Sequence, residues 1–506
     1  MVVRLALVML VLVSGCSDAS EPEPRPLVVG TTERRSGLDP AGCYDYLCAY
    51  ALLPNTHQTL VSLDDAVQPG AGVAESWTVS PDGMSYTFTL RSGQRMHDNA
   101  PLDAETVRWS LERVRTLDAA PSFLLFQDAE EPTWGIRSVE APDTRTVVVQ
   151  LAAPDSSLPA RLAHPAASVV SPRSYPPGSR AGADVVVGSG PYTSEGYRPD
   201  GSLELVPWPG WWRHEPPHER VVVRPFRTAR DLATAVRGGE VDVVLRSLAP
   251  ADVRRLDAED TALVVHEAPP SSVRFLAFNS TRPPFDAVAV RRAVASAVDR
   301  AALARTQGGT PLTSLLPPRF REHAGAAADG DPTALLREAG VPDGERVAFT
   351  LWYTPDHYGP DEQRAAEELG RQLEATGRFA VSVREAGWSD FRSSFSAGEY
   401  QAWLLGWFPD VLDPLDHLAP FLGSAAAAGL GTGYASARAD ELIAAVRRAT
   451  DPGARSQHLR ELQALAAAEA PYVPLWQPPD LVLARRGIGL DLEAWPYLRL
   501  WRTGTR

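Results

Sequence analysis

The chain has 506 residues, 44% hydrophobic and 22% charged, with a formal net charge of −14. This length exceeds one typical domain, so two or three are expected, and the composition excludes wholesale disorder. The acidic balance argues against a polyanionic partner such as nucleic acid. All 49 basic residues are arginine, which is typical of a GC-rich genome and says little about function.

The first sixteen residues, MVVRLALVMLVLVSGC, predict a secretory signal. A single early charge, Arg4, precedes an apolar run at 5–13, which is too short to span a bilayer of about 20 residues. VSGC at 13–16 fits the bacterial lipobox, in which Cys16 carries a diacylglyceryl group; the alternative is an ordinary signal with an incidental cysteine. The polar, proline-rich segment 17–26 predicts a tether.

Two further cysteines, Cys43 and Cys48, lie in GCYDYLCAY. Outside the cytoplasm this pair favours a disulfide over two free thiols. The bond requires a turn, because residues five apart in a helix are too far apart to bridge. Without a nearby pair of histidines the two cysteines make a poor metal site.

Helical and strand patterns alternate along the rest of the chain, which predicts α/β layers. Asp103 is expected to cap the helix of DAETVRWSLERVR, and Gly238 and Gly239 are expected to end a helix before the strand VDVVL. Other strands are predicted in PLVVG, SYTFTL, RTVVVQL, LELVPW and FAVSVREA. Other helices are predicted in DAVAVRRAVASAVDRAAL, GPDEQRAAEELGRQLEATG, RADELIAAVRRAT and RSQHLRELQALAAAEA.

The segment WWRHEPPHERVVVR at 211–224 contains a literal match to the H-E-x-x-H zinc-protease pattern. That pattern needs a helix, which places both histidines on one face. Pro216 disfavours the helical conformation of Glu215, and Pro217 lacks the N–H that a helix interior requires. We therefore interpret the segment as a proline-rich loop before the strand RVVVRPF, with no metal bound.

Other catalytic signatures are missing from the sequence. It has no G-x-S-x-G nucleophile elbow, GGTPLTS lacks the lysine of a phosphate-binding loop, and VVVGSGPY lacks the spacing of a dinucleotide fingerprint. The chain is therefore predicted not to be an enzyme, with no catalytic residue and no cofactor.

Aromatic residues cluster in the last third of the chain. Trp388, Trp403, Trp407 and Phe408 precede Asp410, which follows a proline in a loop-forming stretch. Such residues most often pack a core or form a turn. They also suit a pocket in which a carboxylate meets a cationic ligand group.

Motifs spread along the mature chain resemble those of the extracytoplasmic solute-binding proteins of family 5, which serve peptide- and nickel-type ABC importers. The most specific stretch is GVAESWTVSPDGMSYTFTLRSGQRMHDNAPLDAETVRWSLERV, in which Asn99 stands where the family usually has glycine. Further corresponding segments are VGSGPY, WW with HEPPHERVVVR, GGEVDVV and FLAFNSTRPPFDAVAVRRAVASAVDRAAL.

This resemblance implies a type II periplasmic-binding-protein fold with two α/β lobes, a hinge and an extra inserted domain. The first lobe would be discontinuous, the inserted domain would follow its first segment, and the second lobe would follow its second segment. The predicted ranges are 27–62, 182–270 and 477–506 for the first lobe, 63–181 for the inserted domain and 271–476 for the second lobe. The lobes would close over a solute and the closed form would dock on an ABC permease.

The resemblance also implies a ligand site. GWFPD at 406–410 matches the G-W-x-x-D segment of peptide-binding members, whose aspartate pairs with the α-ammonium of the ligand. The implied ligand-binding residues are Gly406, Trp407, Phe408, Asp410 and Trp388, which walls the pocket. Pro409 departs from the peptide-type segment and removes one backbone donor. Asp413 and Asp416 are interpreted as turn and helix-cap residues.

The predicted function is that of a monomeric substrate-binding lipoprotein of an ABC importer. It would be anchored by lipid to the extracytoplasmic face of the cell membrane and would capture a peptide or another amine-bearing small solute. A receptor for a metal chelate, an opine or a sugar on the same fold is one alternative. A secreted hydrolase with an unrecognised site is an alternative of another class.

Overall fold

The computed structural model describes residues 25–33, 37–127, 134–325, 330–358 and 361–505. The predicted signal at 1–16 with Cys16, and the tether up to residue 24, lie outside the described residues. Helices and strands interleave throughout the described chain, so the predicted α/β class is confirmed. Within these ranges, no helix is both long and apolar enough to cross a bilayer.

A seven-stranded mixed sheet gathers segments from both ends of the chain. Its first strand pairs in parallel with two later strands, and the other pairs are antiparallel. In spatial order the strands are Leu263–Ala268, Asp480–Arg485, Val243–Leu245, Leu27–Thr31, Val221–Pro225, Leu203–Pro207 and Tyr192–Tyr197. All seven lie within the ranges predicted for the first lobe.

A six-stranded sheet lies within 271–476, the range predicted for the second lobe, except that one of its strands ends a single residue beyond this range, at Gln477. In spatial order its strands are Thr310–Pro311, Tyr472–Gln477, Val273–Phe278, Ala402–Trp407, Val347–Tyr353 and Phe379–Glu385. Its central strands read as nearly continuous apolar runs because helices cover both faces. Two buried clusters of aromatic and aliphatic side chains lie against it.

A four-stranded antiparallel sheet lies within 63–181, the range predicted for the inserted domain. Its spatial order is Ala74–Val79, Ser85–Leu90, Thr146–Leu151 and Ile136–Glu140. Two small ribbons pair Val61–Leu63 with Pro69–Ala71 and Ile488–Gly489 with Gly504–Thr505. The exact domain limits stay a prediction.

The helices flank these sheets. The α-helices are Leu53–Thr56, Ala104–Leu117, Leu158–Leu162, Ala229–Arg237, Pro250–Glu259, Val288–Ala297, Arg300–Thr306, Pro332–Glu338, Asp361–Ala375, Trp388–Ser396, Ala419–Leu422, Ser424–Gly429, Ala437–Arg448 and Pro452–Glu469. A π-helix spans Leu47–Leu52, and 3₁₀ turns span Pro40–Gly42, Ala120–Leu124, Pro165–Ala167, Pro414–His417 and Leu500–Arg502.

The chain passes between the seven-stranded and six-stranded sheets at two short segments, 269–272 and 478–479. A hydrogen-bonded clamp joins them, because Asp480 Oδ2 accepts from the Ser271 hydroxyl at 2.6 Å and from its backbone N–H at 2.9 Å. Two adjacent crossings are what a two-lobed protein needs for hinge-type closure.

The prediction of one helix over DAVAVRRAVASAVDRAAL is wrong. Val298 adopts an extended conformation, and two helices, Val288–Ala297 and Arg300–Thr306, replace the single one. The second begins at Asp299, whose carboxylate accepts from the Ala302 backbone N–H at 2.8 Å. An aspartate that caps a new helix start competes with continuation of the old helix.

The predicted helix cap at Asp103 is confirmed, and two of the family segments have a clear structural role. Asp103 caps the helix Ala104–Leu117 by accepting from the Thr106 N–H at 2.9 Å. Asn99, which replaces the usual glycine, has a φ of +62°, a conformation that asparagine tolerates better than most residues. In VGSGPY, a Cβ on Gly188 would lie 2.1 Å from the Thr56 carbonyl oxygen, so this motif packs one segment directly against another.

The HEPPH segment lies outside every helix, in the loop that leads to the strand Val221–Pro225. His214 Nε2 lies 3.2 Å from the Trp501 carbonyl oxygen. Among the described residues, the one group with the composition and spacing of a metal site is Cys43, Asp45 and Cys48, and its two cysteines form a disulfide. The histidines therefore belong to a packed loop.

Candidate ligand-binding cavity

A cavity of about 380 Å³ opens between the segment that carries the four-stranded sheet and the segment that carries the six-stranded sheet. Phe123, Leu124 and Trp134 form part of its apolar wall. The charged residues that line it are Asp155, Arg161, Asp410, Asp413, Asp416 and Arg447. A mostly apolar wall with a few charged groups is the usual composition of a small-molecule site.

Asp410 lies three residues after the strand Ala402–Trp407, so the end of this strand carries it to the cavity. The Tyr44 hydroxyl donates a hydrogen bond of 2.5 Å to Asp410 Oδ1. Tyr44 sits in the loop closed by the Cys43–Cys48 disulfide, and its ring meets Phe123 edge-on at 5.8 Å. Tyr44 therefore links Asp410 and Phe123, which come from two other distant segments of the chain.

A second carboxylate, Asp416, lines the same cavity and lies close enough to feel the negative charge of Asp410. Burial, with a further contribution from the negative charge of Asp410, raises the pKa of Asp416 to about 7. Burial also raises the pKa of Asp410, against the lowering effects of Tyr44 and Arg161. Two adjacent carboxyl groups that resist ionisation together form a strong site for a cation.

Asp413 has a structural role at the edge of the cavity. Its carboxylate caps the turn Pro414–His417 by accepting from the Leu415 N–H, as its interpretation as a turn residue requires. It also accepts two hydrogen bonds from Arg455 at 2.7 and 2.8 Å and one from Ser157 at 3.3 Å. The bond from Ser157 ties the segment of the six-stranded sheet to the segment of the four-stranded sheet. Asp413 is therefore not available to a ligand cation.

Two arginines line the same cavity. Arg161 lies 3.1 Å from Asp155 and donates to the Leu124 carbonyl oxygen at 3.0 Å. Arg447, near the end of the helix Ala437–Arg448, makes no ion pair within the described ranges, and its Nε is buried without a partner there. The cavity thus offers a cation as well as carboxylates.

The other predicted site residues are not among those that line this cavity. The Phe408 ring lies 5.6 Å from the Tyr50 ring and Trp407 packs 5.3 Å from Phe421. Trp388 stacks on His357 with ring centroids 3.8 Å apart. The structure therefore brings Asp410 alone of the predicted set to the cavity wall.

Gly406 and Trp388 belong to a neighbouring cluster built around Tyr358. The Tyr358 hydroxyl donates to the Gly406 carbonyl oxygen at 3.2 Å, and its ring lies 6.0 Å from that of Trp388. The Arg274 guanidinium covers the Tyr358 ring at 3.9 Å and pairs with the buried Glu362 at 2.9 Å.

Gly406→Ala is expected to lower the free energy of unfolding by about 2–4 kcal/mol. The new Cβ would lie 2.0 Å from Arg274 Nη1 and 2.9 Å from Tyr358 Cε1, so Arg274 would have to leave its buried partner. Chemical denaturation measures the loss. Gly429→Ala is the matched control, because a Cβ there meets no atom within 4 Å; an equal loss in both variants would contradict this explanation.

The fold and the cavity define the class of protein: a two-lobed type II periplasmic-binding architecture with an additional domain. The structure of HbpA2 from Haemophilus parasuis superposes with a TM-score of 0.84 at 21% identity, covering 95% of this chain and 100% of that chain. At this identity the likeness establishes the fold.

The chain belongs to the family described as "Bacterial extracellular solute-binding proteins, family 5 Middle", whose model matches residues 68–429. It is 27% identical over 477 residues to the glutathione-binding protein GsiB of Salmonella paratyphi A, covering 89% of this chain and 88% of that protein. It is 28% identical over 507 residues to di/tripeptide-binding protein 2 of Pseudomonas aeruginosa, covering 93% of each. The predictions of a family 5 binding protein and of no enzyme are confirmed.

Three residues that line the cavity were not predicted from the sequence as ligand-site residues: Asp416, Arg161 and Arg447. Tyr44, the hydrogen-bond partner of Asp410, was not predicted either. Asp416 was interpreted as a helix cap, but its carboxylate instead accepts from the Val411 N–H at 3.2 Å and carries a raised pKa. The sequence did contain an indication of Asp416 as a site residue, because Asp410 is followed by two further aspartates within six residues. Tyr44 and the arginines come from distant segments and carried no local signal.

Proposed function

We propose that the chain is the substrate-binding component of an ABC importer and that its cavity takes a peptide with a free amino terminus. This proposal rests on the pair of carboxylates, Asp410 and Asp416, in a cavity that two arginines also line. In this proposal the ligand ammonium meets the aspartates and the ligand carboxylate meets Arg161 or Arg447.

The aspartate pair supports the ammonium end. Burial raises the pKa of both carboxyl groups, and the charge of Asp410 adds to the rise at Asp416. The Tyr44 hydrogen bond compensates only Asp410. A ligand ammonium would supply the positive charge that the pair lacks and would gain charge-assisted hydrogen bonds.

The arginines support the carboxylate end. Arg447 has a buried Nε with no partner among the described residues, and a guanidinium binds a carboxylate through paired N–H donors. The 380 Å³ volume lies at the small end of the range for ligand sites, which favours a short peptide. A relative of 28% identity named for di- and tripeptides supports the same ligand class.

Lobe closure would deliver the ligand in this proposal. Phe408 and Asp410 on one side meet Tyr50 and Tyr44 on the other. A ligand held between these groups would favour the closed arrangement through its contacts with both sides. The closed form would then dock on the permease.

The proposal is tested with pools of dipeptides and tripeptides in a thermal-shift assay, followed by calorimetry with the best single peptide. A bound peptide should raise the melting temperature by mass action. The matched probe is the N-acetylated form of that peptide, which lacks the ammonium and should bind at least about 100-fold more weakly. A response to a sugar or a metal chelate but to no peptide would overturn the peptide assignment.

We also propose that the protein is anchored through a lipid on Cys16. In a bacterial host, the full-length chain is expected to fractionate with membranes, and Cys16→Ser is expected to leave that fraction because two acyl chains give stable attachment. Immunoblotting of membrane and soluble fractions measures this. Cys43→Ser is the control for loss of a cysteine elsewhere, and membrane retention of Cys16→Ser would contradict the anchor.

A further inference from the structure

We propose that the WWR segment at 211–213 forms part of a second binding site, specific for a small oxyanion and separate from the Asp410 cavity. A cavity of about 90 Å³ lies beside Trp211, Arg213, Arg499 and Trp501. This volume exceeds what one water needs by several fold, so a carboxylate, sulfate or phosphate group fits. The two cavities share no lining residue.

The charge of this second cavity has one sign. No aspartate or glutamate of the described chain lines it, whereas Arg213 and Arg499 both do. His57 also lines it, and burial lowers the pKa of His57 to about 3, so this ring is neutral. A positive cavity without a carboxylate of its own selects for anions.

Two N–H donors beside the cavity have no acceptor. Arg213 Nη2 donates to the Ala71 carbonyl oxygen at 3.1 Å, but its Nε is buried and has no partner in the described structure. The Trp211 indole Nε1 is buried and equally without an acceptor among those residues. Buried donors are normally satisfied, and one oxyanion in the cavity could accept from both.

The surrounding arginines leave a surplus of positive charge. Arg499 and Arg502 share two carboxylates, Asp65 and Asp491. Arg91 makes no ion pair in the described ranges and lies over the Trp212 ring at 3.8 Å. Burial lowers the pKa of Arg213, and the nearby charges that act on it are all arginines. Repulsion among these cations would be relieved by a bound anion.

The experiment adds sodium sulfate, phosphate or acetate at millimolar concentration and compares each with chloride at equal ionic strength. We expect a saturable rise in melting temperature of about 1–2 °C with at least one oxyanion. A rise with acetate alone assigns the site to carboxylates, and a rise with sulfate or phosphate assigns it to tetrahedral anions. No saturable rise with any of the three would overturn the proposal.

Arg213→Met should lose this rise. Trp211→Phe keeps an aromatic ring and removes the N–H, so about tenfold more anion should be needed for half of the maximal rise. Arg230→Met, at an exposed arginine on the helix Ala229–Arg237, should keep it in full. Cooperative melting of each variant shows that it folds. An unchanged rise in both Arg213→Met and Trp211→Phe would overturn the site, because the effect would then be a general salt effect.

Discussion

Replacing Asp410 by asparagine is expected to weaken binding of a peptide with a free amino terminus by about 100-fold, because the ammonium loses its charged partner in a partly buried site. Asparagine has the same size and can still accept the hydrogen bond that the Tyr44 hydroxyl donates to Asp410. The loss therefore isolates the charge from the packing. Isothermal titration calorimetry at pH 8 measures it with the peptide selected by thermal shift.

Two controls show whether the loss of affinity comes from the charge of Asp410. Asp184→Asn changes an exposed aspartate far along the chain and should leave the affinity unchanged. The N-acetylated peptide should bind wild type and Asp410→Asn with similar weak affinity, because it has no ammonium to lose. Equal peptide affinity in wild type and Asp410→Asn would remove Asp410 from the site.

Peptide affinity is expected to fall by about tenfold when the pH is lowered from 8 to 6. The pKa of Asp416 is raised to about 7, so its carboxyl is ionised at pH 8 and largely protonated at pH 6. An ammonium ligand binds the ionised pair better, so binding releases a proton below this pKa. In Asp416→Asn the pH dependence over this window should become shallower. A wild-type affinity that is constant from pH 8 to pH 6 would contradict the role of the pair.

The stability of the ligand-free protein should change with pH in the opposite direction. Because Asp416 has a higher pKa in the folded state than the 3.8 of the free side chain, the folded state binds more protons between about pH 4 and 7. The contribution of Asp416 to the free energy of unfolding is therefore greatest below pH 4 and is lost as the pH rises through 7. Urea denaturation at pH 5 and pH 8 should show Asp416→Asn gaining about 2 kcal/mol relative to wild type at the higher pH.

Much of the fold followed from motifs in the sequence. The α/β alternation and the family segments predicted the lobed architecture. The strand Asp480–Arg485 is an example: it joins the sheet of the first lobe although it lies over 200 residues after its neighbour Leu263–Ala268. The broken helix at Val298 was missed because its apolar spacing continues across the break. The Asp299 side chain caps the new helix locally, but the hydrogen bond from its backbone N–H to Gln372 is a tertiary contact that no local pattern shows.

The site was predictable only in part, for a physical reason. GWFPD is local in the sequence, so its resemblance to a known segment pointed to Asp410. The residues that give Asp410 its properties come from elsewhere: Tyr44 from the disulfide loop and Arg161 from the helix Leu158–Leu162. Trp388 carried the same kind of local signal, yet the structure places it against His357. Local patterns identify a segment, and only the packing shows which of its side chains face the cavity.

A crystal structure of the protein with the selected dipeptide would show whether Asp410 binds the ligand ammonium. We expect the ligand in the cavity beside Phe123 and Trp134, with its amino nitrogen about 2.7–3.2 Å from an Asp410 oxygen and its carboxylate at Arg161 or Arg447. A peptide bound elsewhere, with Asp410 still bonded only to Tyr44, would contradict it.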